Sequence, residues 1–287
     1  MIRSVRKRKK RQKDLLGIIG ISFLLICGGG FTYYSLTKDS LDEFMCWEKK
    51  GPNAVTAIIF DKSVKYSAEQ VTDIENSFKF WLKAQEPPTK NRPIDLKFFN
   101  EGNLIQVYVA DEEELTKPEG LQPLKELCAP KDFKEANELI ENPDFLEDEY
   151  NEFMQTFNDL IESLLEKSEG MSPIMETIVR ISNSESFLKH GEVPHYLFIV
   201  SDMIQHTENW SHYPDKNQGV NWEKFEKQMK GTVYMGPRLN QVEVQIFYAD
   251  GESKREKDIQ SPGLMNFWGD FFKNGKAKVT YWIEMDG

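Results

Sequence analysis

Ala54-Val55-Thr56-Ala57-Ile58-Ile59-Phe60-Asp61 decides the fold. The run is apolar or β-branched throughout and meets its first charge at Asp61. A strand with one wet face alternates polar and apolar residues. A strand covered on both faces does not, and continuous runs of this kind belong to the interior of parallel sheets. Tyr196-Leu197-Phe198-Ile199-Val200 repeats the pattern later in the chain and ends at Ser201-Asp202. Two such strands, each stopping at a carboxylate, suggest both the class of fold and the place to look for chemistry.

Around them, helices alternate with strands. Ser67 with Gln70 three residues on has the pattern of a capping box. Val71, Ile74, Phe78, Trp81 and Leu82 then recur on one helical face until Pro87-Pro88. Ile94–Phe99 and Leu104–Val109, around the turn-rich Asn100-Glu101-Gly102-Asn103, are expected to pair as a hairpin. Asp144–Lys167 carries a wide apolar stripe through Tyr150, Phe153, Phe157, Ile161 and Leu164, the mark of an amphipathic helix. Ser172-Pro173 is expected to cap the next helix, with Ser at the cap and Pro in the first turn. Trp222–Met229 has the pattern of a short helix, Val242–Tyr248 that of a strand. Ser261-Pro262 opens a helix rich in aromatics, and Lys278–Ile283 is a last strand. Strands separated by helices need crossover connections. The expected fold is therefore α/β, a doubly wound, mostly parallel sheet, with the hairpin supplying one antiparallel edge strand.

The chain before residue 54 has another composition. Arg3, Arg6, Lys7, Arg8, Lys9, Lys10, Arg11 and Lys13 crowd the start, and Leu15–Tyr34 follows without a charge. As a helix that stretch would span about 30 Å, the thickness of a bilayer's hydrocarbon. Its glycines are compatible with a membrane helix, and the basic flank is expected to stay in the cytoplasm. The expected organisation is a basic cytoplasmic head (1–14), a single transmembrane helix (15–34), a linker (35–53) and one domain (54–287) that is periplasmic or extracellular. A cleaved signal peptide is the rival reading; against it, the apolar stretch is long and no Ala-x-Ala pattern follows. The layout is that of a bacterial envelope protein and faintly resembles anchored proteins of mobile or conjugative elements.

The net charge of −11 conceals this cationic head, so the body is more acidic still. Such a body repels phosphates, which excludes nucleic acid as its partner. Cys46 and Cys128 lie in the exported part, where a disulfide persists. Two cysteines leave a bridge and a pair of buried thiols both open. The sequence contains no Gly-x-Ser-x-Gly elbow, phosphate-binding Gly-rich loop or Rossmann fingerprint, so the common hydrolase and nucleotide chemistries lack their marks.

In open α/β sheets, ligands gather beyond the C-terminal ends of the strands where the strand order reverses. If the strands ending at Asp61 and Asp202 are neighbours, two carboxylates and several hydroxyls converge there. Oxygens of this kind suit a hard cation such as Mg²⁺ or Mn²⁺. Three stretches resemble the metal-ion-dependent adhesion site of von Willebrand factor type A domains. Asp61-Lys62-Ser63-Val64-Lys65 resembles its Asp-x-Ser-x-Ser motif, and Gly170-Met171-Ser172-Pro173-Ile174 resembles its Gly-Gly-Thr-Pro-Leu step. Phe198-Ile199-Val200-Ser201-Asp202 resembles its strand ending in Thr-Asp-Gly. In order of elements the resemblance runs from about Val55 to Ile283. It implies Asp61, Ser63, Ser172 and Asp202 as the residues around a cation. Two positions depart: Lys65 replaces the second serine, and Met203 replaces the glycine after the second aspartate. The Lys65 ammonium could stand in the cation's place and neutralise both aspartates. Without any metal, Asp61 ends a strand and Ser172 caps a helix.

The loop from Met203 to about Val220 is longer than ordinary connections, which favours function or mobility. Trp210 and Tyr213 are residue types that anchor interfaces, so His206, Trp210, His212 and Tyr213 are expected to bind a partner. His206, Glu208, His212 and Asp215 fit no zinc spacing. The expected function is a membrane-anchored protein-interaction module of an envelope-associated assembly, not an enzyme, with a protein partner the sequence does not identify. The alternatives are an exported hydrolase using His206 or His212, and a scaffold that oligomerises through glycines of its membrane helix.

Overall fold

The computed structural model describes residues 42, 44–82, 96–117, 119–131, 142–165, 170–213, 219–251 and 253–286. The basic head, the segment Leu15–Tyr34 and the linker up to residue 41 lie outside them. Among the described residues no helix is long and apolar enough to cross a membrane. Asp42–Trp47 and Gly51–Gly287 form one compact unit.

Six strands build one sheet: β1 (Val55–Asp61), β2 (Leu104–Ala110), β3 (Lys125–Cys128), β4 (His195–Ser201), β5 (Glu243–Tyr248) and β6 (Lys278–Glu284). Their spatial order is β3-β2-β1-β4-β5-β6. Every neighbouring pair is parallel except β2 and β3, which run antiparallel. This is a doubly wound α/β sheet, mostly parallel with one antiparallel edge, and it fits a von Willebrand factor type A or Rossmann-like fold. β1 is buried along its whole length, as its unbroken apolar run requires, and β4 along all but its first residue.

The antiparallel edge is not the hairpin expected from the sequence. Leu96–Phe99 forms a 3-10 turn, and Leu104 N donates to Ala54 O at 2.9 Å, which commits β2 to pairing with β1. Phe98 and Phe99 are 0% and 2% exposed, so they fill the core instead of an edge. The edge strand is Lys125–Cys128, half charged and only four residues long.

Helices cover both faces. On one, α1 (Ala68–Trp81) and α3 (Pro143–Leu165) bring Ile74, Phe78, Phe153, Phe157 and Ile161 against Ile58, Phe60, Val107, Phe198 and Phe247. Phe78 lies within 6 Å, centroid to centroid, of Phe60, Trp81, Phe99, Phe157 and Phe198. Each ring so buried contributes about 1.5–3 kcal/mol. The capping box at Ser67 and Gln70 starts α1 as its sequence predicts. The other face carries α4 (Ile174–Ile181), α6 (Trp222–Met229) and α8 (Pro262–Asn274), with Ile178, Phe225, Trp268 and Phe271 on Ala57, Ile59, Leu197 and Ile246. The short helices α2 (Glu112–Thr116), α5 (Glu185–Leu188) and α7 (Lys254–Ile259) lie in the connections.

Cys46 and Cys128 are joined by a disulfide with a Cα–Cα distance of 5.1 Å. Beside it, Cys128 N donates to Phe44 O at 2.7 Å. The chain leading into the domain is thereby fixed to the sheet's edge strand at Cys128, which faces Leu104, the first residue of β2. That is the end of the sheet opposite to Asp61 and Ser201.

Candidate functional site

β1 and β4 are parallel neighbours with Phe60 opposite Val200, so Asp61 and Ser201-Asp202 leave the sheet side by side. Asp61 is fully buried. Its Oδ1 accepts from Ser63 N at 3.0 Å and Ser63 Oγ at 2.7 Å. Its Oδ2 accepts from Ser201 Oγ at 2.8 Å and Ser172 Oγ at 3.0 Å. These donors fill the roughly four acceptor sites a carboxylate has. Burial pushes the Asp61 carboxyl above its ordinary range, and the hydrogen bonds from Ser63, Ser201 and Ser172 offset part of that rise.

Asp202 is held differently. Its Oδ1 accepts from Ile204 N at 2.8 Å, and its Oδ2 has no hydrogen bond among the described residues. The side chain lines a cleft of about 220 Å³ together with Ser63, Ser172, Lys65, His206 and Glu256. Burial, then the neighbouring Asp61 charge, hold the Asp202 carboxyl well above its ordinary range. Lys65 lines the cleft but is exposed, whereas Asp61 is buried, so the ammonium does not stand beneath the cleft floor.

The donor set fits a hard cation. A hydroxyl that donates its hydrogen to Asp61 keeps its oxygen lone pairs. The oxygens of Ser63 and Ser172 therefore remain available on the cleft side, with the Asp202 carboxylate beside them and the Asp61 charge behind. No group of three or more His, Cys, Asp or Glu that could hold a metal exists among the described residues. The available oxygens are thus mostly hydroxyls, which suit Mg²⁺ or Mn²⁺ better than a softer metal.

The structure revises the role of Ser172. Its hydroxyl goes to Asp61, and α4 begins after Pro173 with no side-chain cap. The exposed first turn is closed from elsewhere: Met175 N donates to Gln205 Oε1 at 2.9 Å. Ser201 belongs to the site although sequence reasoning did not single it out. It bonds Asp61 and also accepts from Met203 N at 2.7 Å. Its place in the strand ending that resembles Thr-Asp-Gly was the signal.

The segment after Asp202 is built into the body. Met203 is fully buried with φ 59°, a left-handed conformation that glycine adopts without strain. Its carbonyl accepts from Trp268 Nε1 at 2.8 Å. His206 and Ser172 exchange backbone hydrogen bonds of 2.9 and 3.0 Å. Trp210, 1% exposed, lies 5.0 Å from Phe225 and 6.1 Å from Phe267. His212, also 1% exposed, packs on Phe267 and Trp268, and its Nδ1 accepts from Gln205 N at 3.1 Å. Burial lowers its pKa to about 3.

Trp210 and His212 therefore face the core and are withdrawn from the expected contact surface. His206 and Tyr213 stay half-buried, packed edge to face at 5.0 Å, and both line the cleft. The Arg255 guanidinium lies 4.5 Å from the Tyr213 ring centroid. Glu208 is exposed, and Asp215 lies outside the described residues. Ser201, Asp202 and His206 do not form a relay: Ser201 Oγ donates to Asp61, and His206 Nδ1 is 2.9 Å from Ser211 Oγ.

No protein-family model and no curated protein sequence matches the chain. Among solved structures, the human COPII-coat protein Sec24c is similar over 86% of this chain and 31% of its own length, at 10% sequence identity and a TM-score of 0.33. The chain spans about a third of that protein.

Proposed function

We propose that the domain is a protein-interaction module of von Willebrand factor type A kind, held at a membrane by Leu15–Tyr34 and working in an envelope-associated assembly. The observation that carries this reading is the adjacency of β1 and β4, which brings Asp61, Ser63, Ser172 and Asp202 together under one cleft at the C-terminal end of the sheet. Mg²⁺ or Mn²⁺ would be held there by the oxygens of Ser63, Ser172 and Asp202, and would supply a positive centre for an acidic or carbonyl group of the partner. Asp61 orients the two serine hydroxyls and balances the charge. His206 and Tyr213, on the cleft wall, are the surface-side contacts.

The test is thermal unfolding of the full chain in detergent with Mg²⁺, with Mn²⁺ and with EDTA, beside Asp202→Ala. A cation at 100 times its dissociation constant adds about 2.7 kcal/mol, a rise of a few degrees for a domain of this size. A rise that Asp202→Ala loses supports the cation site. An unchanged midpoint in every condition refutes it.

A further inference from the structure

We propose that a second concavity at the same end of the sheet is a docking groove for a segment of a partner protein that carries a basic side chain beside an apolar one. The groove has a volume of about 350 Å³ and lies between α2, the start of α4, Thr207–Asn209 and the 3-10 turn Val233–Met235. It is separate from the cation cleft and does not rest on a cation binding there.

Its apolar part is unusual for this surface. Val233 is 65% exposed, more than any other large apolar side chain among the described residues. Leu115 and Tyr234, both half-buried, line the groove with it. The Tyr234 hydroxyl accepts from Asn209 Nδ2 at 3.0 Å, which fixes the ring beside Val233. An apolar side chain held in the open on the wall of a concavity gains from being covered, at about 25 cal/mol per Å² of apolar surface removed from water.

Charge selects what covers it. Glu176 lines the groove and is 8% exposed. Its carboxylate accepts from Gln205 Nε2 at 2.7 Å, Thr207 Oγ1 at 2.8 Å and Asn209 Nδ2 at 3.2 Å, all neutral donors. Those bonds hold the carboxylate in place without cancelling its charge. Glu112 and Glu208 are exposed on the same lining, against a single cation, Arg180. Acidic groups thus outnumber basic ones around an apolar centre. An acidic segment or a nucleic acid is repelled, and a Lys or Arg next to a Leu- or Val-like residue meets both features. Arg180 remains free to receive a backbone carbonyl of the same segment.

The experiment is methyl-detected NMR of the full chain in detergent, titrated with three synthetic peptides. They are acetyl-Leu-Lys-Leu-Lys-Leu-amide, its Leu-Glu counterpart and its Ser-Lys counterpart. The Leu-Lys peptide is expected to shift the Val233 and Leu115 methyl signals saturably, and the other two to shift them at least several-fold less at equal concentration. Val233→Ser and Glu208→Lys, both at exposed positions, should each weaken the Leu-Lys response several-fold while leaving the remaining methyl spectrum in place. Equal responses to the Leu-Lys and Leu-Glu peptides, silence at Val233, or a response that survives both variants overturns the proposal. The Mg²⁺-dependent thermal rise, measured on Val233→Ser, separates this outcome from that of the cleft, because this variant should keep the rise if the cleft binds a cation.

Discussion

The turn after β1 and the turn after β4 end adjacent strands with the same residue type, yet they are held by opposite means. Asp61 bonds Ser63 two residues on, and the capping box at Ser67 starts α1 directly. That turn is closed mostly by its own sequence neighbours. The turn after Asp202 is closed by distant groups: Ser172 pairs with His206, Trp268 holds the Met203 carbonyl, and Gln205 reaches back to Met175. Its aromatic residues serve as core. The first turn presents local chemistry at the cleft, and the second is a packing unit that carries one carboxylate to the same place.

Four measurements would break or sharpen that contrast, from the largest effect to the smallest. Trp210→Ala should lower stability by about 3–5 kcal/mol, the range for a fully buried Trp. Urea unfolding that shows a loss under 1 kcal/mol would return Trp210 to the surface. His212 titrates in the folded domain near 3, below its ordinary 6.5, because burial disfavours the imidazolium. Its contribution is full above pH 6.5 and is lost as pH falls toward 3. Asp61 and Asp202 are raised and work in the opposite sense, gaining as they protonate. The stability gap between wild type and His212→Gln should therefore shrink by about 2 kcal/mol between pH 6.5 and pH 5, at about 1.4 kcal/mol per pH unit. A pH-independent gap contradicts the burial of His212.

Met203 gives a finer comparison. Met203→Gly and Met203→Ala both empty the same buried volume, but only Ala keeps the strain of a positive φ. The Gly variant should be the more stable by about 1 kcal/mol, the reverse of the order in regular structure. Equal midpoints in thermal unfolding would mean that the strain is released elsewhere. Ser67→Ala should be the mildest, lowering stability by about 1 kcal/mol through loss of the α1 cap. A loss as large as that of Trp210→Ala would erase the distinction between the two turns.

What could be read from the sequence follows the same division. The unbroken apolar runs marked β1 and β4, and the capping box marked α1, because each signal lies within a few residues of its effect. Trp222–Met229 was legible as a helix to the residue. Asp61, Ser63, Ser172 and Asp202 were placed together through motif resemblance, and their side chains do converge. The edge strand escaped notice because Lys125-Glu126-Leu127-Cys128 shows neither alternation nor an apolar run. Ile94–Phe99 misled because Phe98 and Phe99 are apolar for the sake of the core. Ser172 competes between a cap three residues away and a buried carboxylate 111 residues away in sequence, and local pattern sees only the first. Burial of Trp210 and His212 depends on α6 and α8, which follow them in the chain, so composition alone suggested an interface.

The bridge between Cys46 and Cys128 also has a mechanical consequence. It closes a loop with a sequence separation of 82 residues, or about 290 Å of fully extended chain. Tension applied between the N-terminal tether and the C-terminus passes across the bridge, so that length cannot be paid out while the bond is intact. β1, β2 and most of β3 lie within the locked loop. A domain pulled by its tether can thus lengthen only from Cys128 onward, and half of its sheet is kept out of the line of force.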